Sequence, residues 1–124
     1  MSKRTRSAKT PTKTVSDAPI THSIIVPAYK EKLNLRPVTT RIFTAFNDPE
    51  SPIPAESVEV IIVDDNSRDG SVEEVEVLHD EGYNIRIIVR TNERGLSSAV
   101  VRGFKEAKGD SMICMDADLQ VYVR

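Results

Sequence analysis

Four short apolar runs divide this 124-residue sequence, and each leads directly into a polar cluster. Residues 23–26 read S-I-I-V and stop at Pro27, and residues 58–63 read V-E-V-I-I-V and stop at Asp64 and Asp65. Residues 85–89 read I-R-I-I-V and meet the polar stretch 90–94. Residues 111–115 read S-M-I-C-M and end on Asp116, Ala117 and Asp118. Runs this short, rich in Ile and Val, read as buried strands. Between them apolar residues recur every three or four positions, the helical period. The series are Leu35, Val38, Ile42 and Phe46; then Val72, Val75 and Leu78; then Leu96, Ala99, Val100, Gly103, Phe104 and Ala107. The pattern is β-α-β-α-β-α-β. Helical crossovers of this length make the strands parallel, with helices on both faces of the sheet.

Local chemistry suggests the boundaries. Asn34 is expected to cap the first helix, with Pro37 in its first turn, where a missing N–H does no harm. The segment 47–57 contains Pro49, Pro52 and Pro54 and reads as a loop. Ser71, followed by Glu74 three residues later, predicts a capping box, and Gly82 ends that helix. Gly109 is expected just past the end of the third helix, as its C′ residue. Met112, Cys114 and Met115 are expected in the core.

This length allows one domain, and 39% hydrophobic with 29% charged residues is ordinary folded composition. No apolar run approaches the ~20 residues that cross a bilayer. The single cysteine excludes an internal disulfide and a multi-cysteine zinc site, and fits a reducing compartment. A net charge of −2 argues against a nucleic-acid binder, but it hides an asymmetry. Residues 1–18 carry Lys3, Arg4, Arg6, Lys9 and Lys13 against Asp17, a local +4, which leaves −6 for the rest. That stretch has too few apolar residues to offset its ordering entropy, so 1–18 is expected to be a disordered basic tail. It lacks the apolar h-region of a secretory signal and the apolar face of a mitochondrial presequence.

In an open parallel sheet the carboxyl ends of the strands share one edge, where ligands bind. The clusters 27–31, 64–65, 90–94 and 116–118 should therefore converge on one crevice. Two carboxylates separated by one small residue, Asp116 and Asp118, suit a hard divalent cation such as Mg²⁺ or Mn²⁺, and Gln120 offers a further oxygen. Asp64 and Asp65 on the same edge would repel that pair. Unit charges ~4 Å apart cost about 4 kcal/mol at an effective dielectric near 20, and a bound cation would relieve this. The bland alternative is that Asp64 only caps its own turn. Neither a G-x-G-x-x-G fingerprint nor a P-loop is present. Arg90 and Arg94, beside Gly95, are candidates to meet phosphate bidentately. His22 and His79 have no partner that suggests a role.

In order, the stretches 23–34 (S-I-I-V-P-A-Y-K-E-K-L-N), 60–71 (V-I-I-V-D-D-N-S-R-D-G-S), 90–100 (R-T-N-E-R-G-L-S-S-A-V) and 115–120 (M-D-A-D-L-Q) resemble the family 2 glycosyltransferases of the GT-A fold. Among these they look most like the dolichol-phosphate mannosyltransferases, in particular the single-subunit branch. The resemblance implies an α/β fold, the Rossmann-like nucleotide-sugar-binding half of GT-A, with a mostly parallel four-stranded sheet. It implies that Pro27, Tyr29 and Glu31 line a guanosine pocket and that Val63 and Asp65 complete the nucleoside contacts, supported by Asp64. Ala117 would lie against the nucleotide. Asp116, Asp118 and Gln120 would hold the divalent metal, with Asp118 also the catalytic residue. The implied reaction moves mannose from GDP-mannose to dolichyl phosphate with inversion. The product, dolichyl β-D-mannosyl phosphate, would serve protein glycosylation and GPI-anchor synthesis at the cytosolic face of the endoplasmic reticulum membrane.

Family members continue after D-A-D-L-Q with a His/Pro-rich turn and an acceptor-binding half, whereas here Val121, Tyr122, Val123 and Arg124 follow. The expected organisation is a tail (1–18), a donor-binding portion (19–120) and an aberrant end (121–124). Such a C-terminally truncated chain should turn over poorly or not at all, its membrane-attaching region missing. Three other readings stay open: another family 2 transferase such as a dolichyl-phosphate glucosyltransferase, a non-catalytic GDP-sugar binder, and a phosphoacceptor receiver domain. For the last, I-I-V-D-D-N is locally similar.

Overall fold

The computed structural model describes residues 18–117. The basic tail, Asp118, Gln120 and the segment 121–124 lie outside the described residues. Among the described residues four strands and three helices alternate: β1 (His22–Ala28), α1 (Lys32–Phe46), β2 (Val58–Asp64), α2 (Ser71–Asp80), β3 (Ile85–Val89), α3 (Leu96–Glu106) and β4 (Ser111–Cys114). A short 3₁₀ turn, Ala55–Ser57, leads into β2. The sheet order is β3-β2-β1-β4 and every pairing is parallel.

Side chains alternate between the two faces of each strand, and this alternation builds two cores. Ile24, Val26, Val60 and Ile62 face α1 and α2, where they meet Leu35, Val38, Phe43, Val75 and Leu78. Ile25, Ile61 and Val63 point the other way and pack against Ala99 of α3. β2 is buried along its whole length. Parallel strands covered on both faces read as continuous apolar runs, which is why 58–63 was so legible.

α3 can lie close to β1 because Gly103 has no side chain. A Cβ built there would run into Cγ2 of Ile25, closer than real carbon contacts allow. Gly103→Ala should therefore lower stability by about 1–3 kcal/mol through overpacking, despite alanine's ~1 kcal/mol better helix propensity. The expected readout is a lower urea midpoint at unchanged slope. A midpoint equal to or above the parent's would show that α3 can stand off the sheet.

Several local expectations are corrected. α1 begins at Lys32 rather than after Asn34, which places Pro37 inside the helix. Its start is set by tertiary contact, since the Lys32 N–H donates to Asp69 Oδ2 at 3.3 Å across a different loop. Pro37 deprives the Leu33 carbonyl of its helical donor, and Leu33 is highly exposed, so water can serve instead. The capping box at α2 does not form. Gly70 occupies the cap position, and Asp69 Oδ1 accepts from both the Ser71 N–H (3.1 Å) and the Ser71 hydroxyl (2.6 Å).

Gly109 is not a C′ residue, because α3 ends at Glu106 with Ala107 as its extended cap. Gly109 instead permits close approach: a Cβ there would lie 2.7–2.8 Å from the Thr21 and His22 backbone. Met115 is buried, but Met112 is exposed and Cys114 only half-buried. Among the described residues β4 is an edge strand, and α3 packs on β1 and β2 rather than over it.

Candidate functional site

The chain runs β1, β2, β3 outward in one direction and then crosses back to place β4 on the far side of β1. Reversal of this kind opens a crevice beyond the carboxyl ends of the two strands flanking it, here β1 and β4. Ala28, Asp64 and Val89 form one row across β1, β2 and β3. On the other side Cys114 pairs with Ile25, and two residues further along each strand come Asp116 and Pro27. All four polar clusters thus begin at one edge, as far as residue 117.

The loops after β1 and β2 are tied together. The Lys30 N–H donates to Ser67 Oγ at 2.6 Å, and that hydroxyl donates to Asp64 Oδ1 at 2.5 Å. The Ser67 N–H reaches Asp64 Oδ2 at 2.8 Å, and the Asp65 N–H reaches the Ala28 carbonyl at 3.1 Å. Asp64 is buried and serves as the cap of its own turn. Lys30, Asn66 and Arg68 all adopt left-handed backbone angles. Such conformations cost of order 1 kcal/mol or more outside glycine and persist where surrounding contacts over-determine them.

Asp65 has a partner that sequence reasoning missed. Arg90 is buried, and its guanidinium contacts Asp65 Oδ1 through Nε (2.7 Å) and Nη2 (2.6 Å). The same group donates to Ser98 Oγ at 2.7 Å and the Gly95 carbonyl at 2.9 Å, while the Gly95 N–H donates to Asp65 Oδ2 at 3.1 Å. Asp64 and Asp65 are therefore stabilised by the protein itself, without a cation. Arg90 is committed to this brace and is not a phosphate clamp. The only sequence hint was an arginine placed just after a strand.

Tyr29 is about half exposed at the crevice. Lys30 Nζ lies 5.4 Å from its ring centroid and the Arg94 guanidinium 5.7 Å, both within cation–π range. The loop after β3 thus reaches past β2 to the turn after β1. A cavity of about 170 Å³ opens between Asp65, Asn66, Arg90 and Arg94.

The remaining candidates are placed as follows. Pro27 and Glu31 are half-buried beside Tyr29 in sequence, and Glu31 Oε1 accepts from Asn34 Nδ2 at 2.8 Å. Val63 is fully buried under α3, backbone included, so it can shape a pocket but presents no surface to a ligand. Ala117 is buried in the core shared with α1 and α2. Asp116 is half-buried, and its carboxylate makes no hydrogen bond or ion pair among the described residues. An uncommitted carboxylate at a sheet edge fits a hard cation. No group of three potential metal ligands occurs among the described residues.

Burial opposes ionisation of Asp69, but hydrogen bonds from Ser71 and the Lys32 N–H outweigh it and hold the carboxyl below its ordinary pKa. Burial, and then the Asp116 charge, push the Cys114 thiol up, so it stays protonated and unreactive near neutral pH.

Residues 23–123 match the family described as glycosyl transferase family 2. The chain belongs to that family. Membership removes the receiver-domain alternative. This family 2 chain is 64% identical over 101 residues to the dolichol-phosphate mannosyltransferase of Saccharomyces cerevisiae, covering 82% of this chain and 36% of that one. It is 68% identical over 98 residues to the dolichol-phosphate mannosyltransferase of Mycosarcoma maydis, covering 79% and 33%. The chain thus spans about a third of the length of the curated relatives it matches. Its α/β sheet matches the GT-A fold. A mannosyltransferase from Pyrobaculum calidifontis, described in complex with GDP-Man and Mn²⁺, aligns with a TM-score of 0.66 at 24% identity, over 84% of this chain and 30% of that one.

Proposed function

We propose that this family 2 chain is the donor-binding portion of a dolichyl-phosphate mannosyltransferase. The observation that carries the reading is the 64% and 68% identity to two proteins of that name, over about four-fifths of this chain. The complex of the Pyrobaculum calidifontis protein with GDP-Man and Mn²⁺ supports the donor and the metal. In this reading the whole protein transfers mannose from GDP-mannose to dolichyl phosphate with inversion, giving dolichyl β-D-mannosyl phosphate. It does so at the cytosolic face of the endoplasmic reticulum membrane, for protein glycosylation and GPI-anchor synthesis. Among the described residues no helix is long and apolar enough to cross a membrane.

Residues 19–120 form the donor site in this account. Pro27, Tyr29 and Glu31 line the nucleoside pocket with Asp65 completing it, while Val63 and Ala117, both buried, support the pocket from beneath rather than touch the nucleotide. Asp116, with Asp118 and Gln120, would hold a divalent cation, and Asp118 is the catalytic residue. Such a cation would neutralise the diphosphate and ease departure of GDP. The acceptor phosphate is largely ionised near neutral pH, because its second pKa is ≈ 6, so no strong general base is needed. The protein's contribution is chiefly to fix the donor's anomeric carbon in line with that oxygen. The braced loops after β1 and β2 supply rigidity for this.

Calorimetry with GDP-mannose tests the reading. Binding is expected with Mn²⁺ and should weaken at least about tenfold in EDTA and likewise in Asp116→Ala, since even outer-shell partners of a metal carry that much. Absence of binding, or binding indifferent to both EDTA and Asp116→Ala, would overturn it. Preference for UDP-glucose over GDP-mannose would point to glucosyl transfer instead.

A further inference from the structure

Sequence reasoning treated Arg90 and Arg94 as equivalent candidates for phosphate, and the structure separates them. Arg90 is buried with its donors consumed by Asp65, Ser98 and Gly95. The Arg94 guanidinium makes no hydrogen bond or ion pair among the described residues and lies 5.7 Å from the centroid of the half-exposed Tyr29 ring. Lys30 is its counterpart, its ammonium also unpaired among the described residues and set against the same ring.

The backbone beneath each side chain is anchored. Lys30 is held in a left-handed conformation (φ 56°) by its N–H bond to Ser67 Oγ, which is anchored in turn on Asp64. Arg94 immediately precedes Gly95, whose N–H and carbonyl are both fastened to the Asp65–Arg90 brace. Two separate loops thus deliver two cations to one aromatic ring at the mouth of the crevice. Like charges brought together this way repel each other, and the arrangement is relieved by an anion between or beside them. An arginine with its whole fork of N–H donors unused is suited to phosphate oxygens.

Resting on the donor-site reading above, we propose that Arg94, assisted by Lys30, binds the diphosphate of the nucleotide donor, with Tyr29 as the platform that positions both. Arg94 and Lys30 are thus binding residues for the anion, separate from the carboxylates that would take a cation.

The test compares GDP with guanosine by calorimetry, in EDTA to silence the Asp116 side. Arg94→Ala should weaken GDP binding about tenfold or more, the range of a charge-assisted hydrogen bond. It should leave guanosine binding unchanged, which also shows the variant is folded. Lys30→Ala should act in the same direction but less, and Arg94→Lys should recover only part of the loss, keeping the charge but not the fork. Wild-type GDP affinity should fall with added salt, and that slope should flatten in Arg94→Ala. Equal losses for GDP and guanosine would reassign Arg94 to the base and overturn the proposal, as would GDP binding unaffected by Arg94→Ala. If the unaltered chain bound neither GDP nor guanosine, with or without Mn²⁺, the donor-site reading would fail and this proposal with it.

Discussion

Arg90→Ala is expected to remove about 3–5 kcal/mol of folding stability, the usual consequence of deleting one partner of a buried ion pair. Three losses combine. Asp65 keeps only the Gly95 N–H at 3.1 Å, and its charge then sits next to buried Asp64 with no guanidinium to offset it. Ser98 and the Gly95 carbonyl lose donors at 2.7 and 2.9 Å, so the loop that carries Arg94 is released. The volume of a fully buried arginine is also emptied. Arg90→Met with Asp65→Asn should recover much of the deficit, because the pair is removed together rather than orphaned. Chemical denaturation of the parent, Arg90→Met, Asp65→Asn and the double variant, the four corners of a double-mutant cycle, measures the coupling. A single mutant as stable as the parent would mean that Asp65 is readily hydrated and that the brace contributes little.

Glu59→Ala should be comparably damaging, at about 3–5 kcal/mol, at the opposite end of the sheet. Glu59 is buried on β2, next to Ser23 in the β1–β2 register. Its Oε2 accepts from Ser23 Oγ at 2.6 Å and from the Lys108 N–H at 2.7 Å, while Oε1 meets Arg86 at 3.3 Å. Ser23 Oγ in turn accepts from the Gly109 N–H at 2.9 Å. The carboxylate therefore organises the connection from α3 to β4, the crossover that sets Asp116 beside β1. Alanine would leave a buried hydroxyl and a backbone N–H short of acceptors, each costing about 1–3 kcal/mol. A melting temperature lowered by more than about 10 °C is expected for a domain of this size. Glu59→Gln, which keeps one acceptor oxygen in place, should lose clearly less. If glutamine proved as harmful as alanine, the negative charge rather than the acceptor geometry would be what matters.

These two side chains mark the limit of what could be read from the residues in order. The alternation of strands and helices was legible because periodicity is a local property: β2 announces itself in six residues, and the stripes of α1 and α2 in a dozen. The candidate site was legible for a related reason, since every parallel strand delivers its next residues to the same edge. Arg90 and Glu59 carry no such signal. Their partners lie 25 residues away for Arg90 and Asp65, and 36 and 49 away for Glu59 with Ser23 and Lys108. A surface arginine and a strand glutamate of the same spelling would look identical in the linear sequence.

Helix starts failed for the same cause. Asn34 and the Ser71–Glu74 pair are sound local caps, but Asp69 reaches the first turns of both α1 and α2 and displaces them. Gly109 likewise looked like a helix terminator and proved to be a point of close approach to Thr21 and His22. The residues taken one after another determined the parallel α/β architecture and the edge on which the polar clusters gather. Only the tertiary structure decided which charges neutralise one another there and which stay open to a ligand, because burial and pairing depend on neighbours that the fold, not the chain order, brings within a few ångströms.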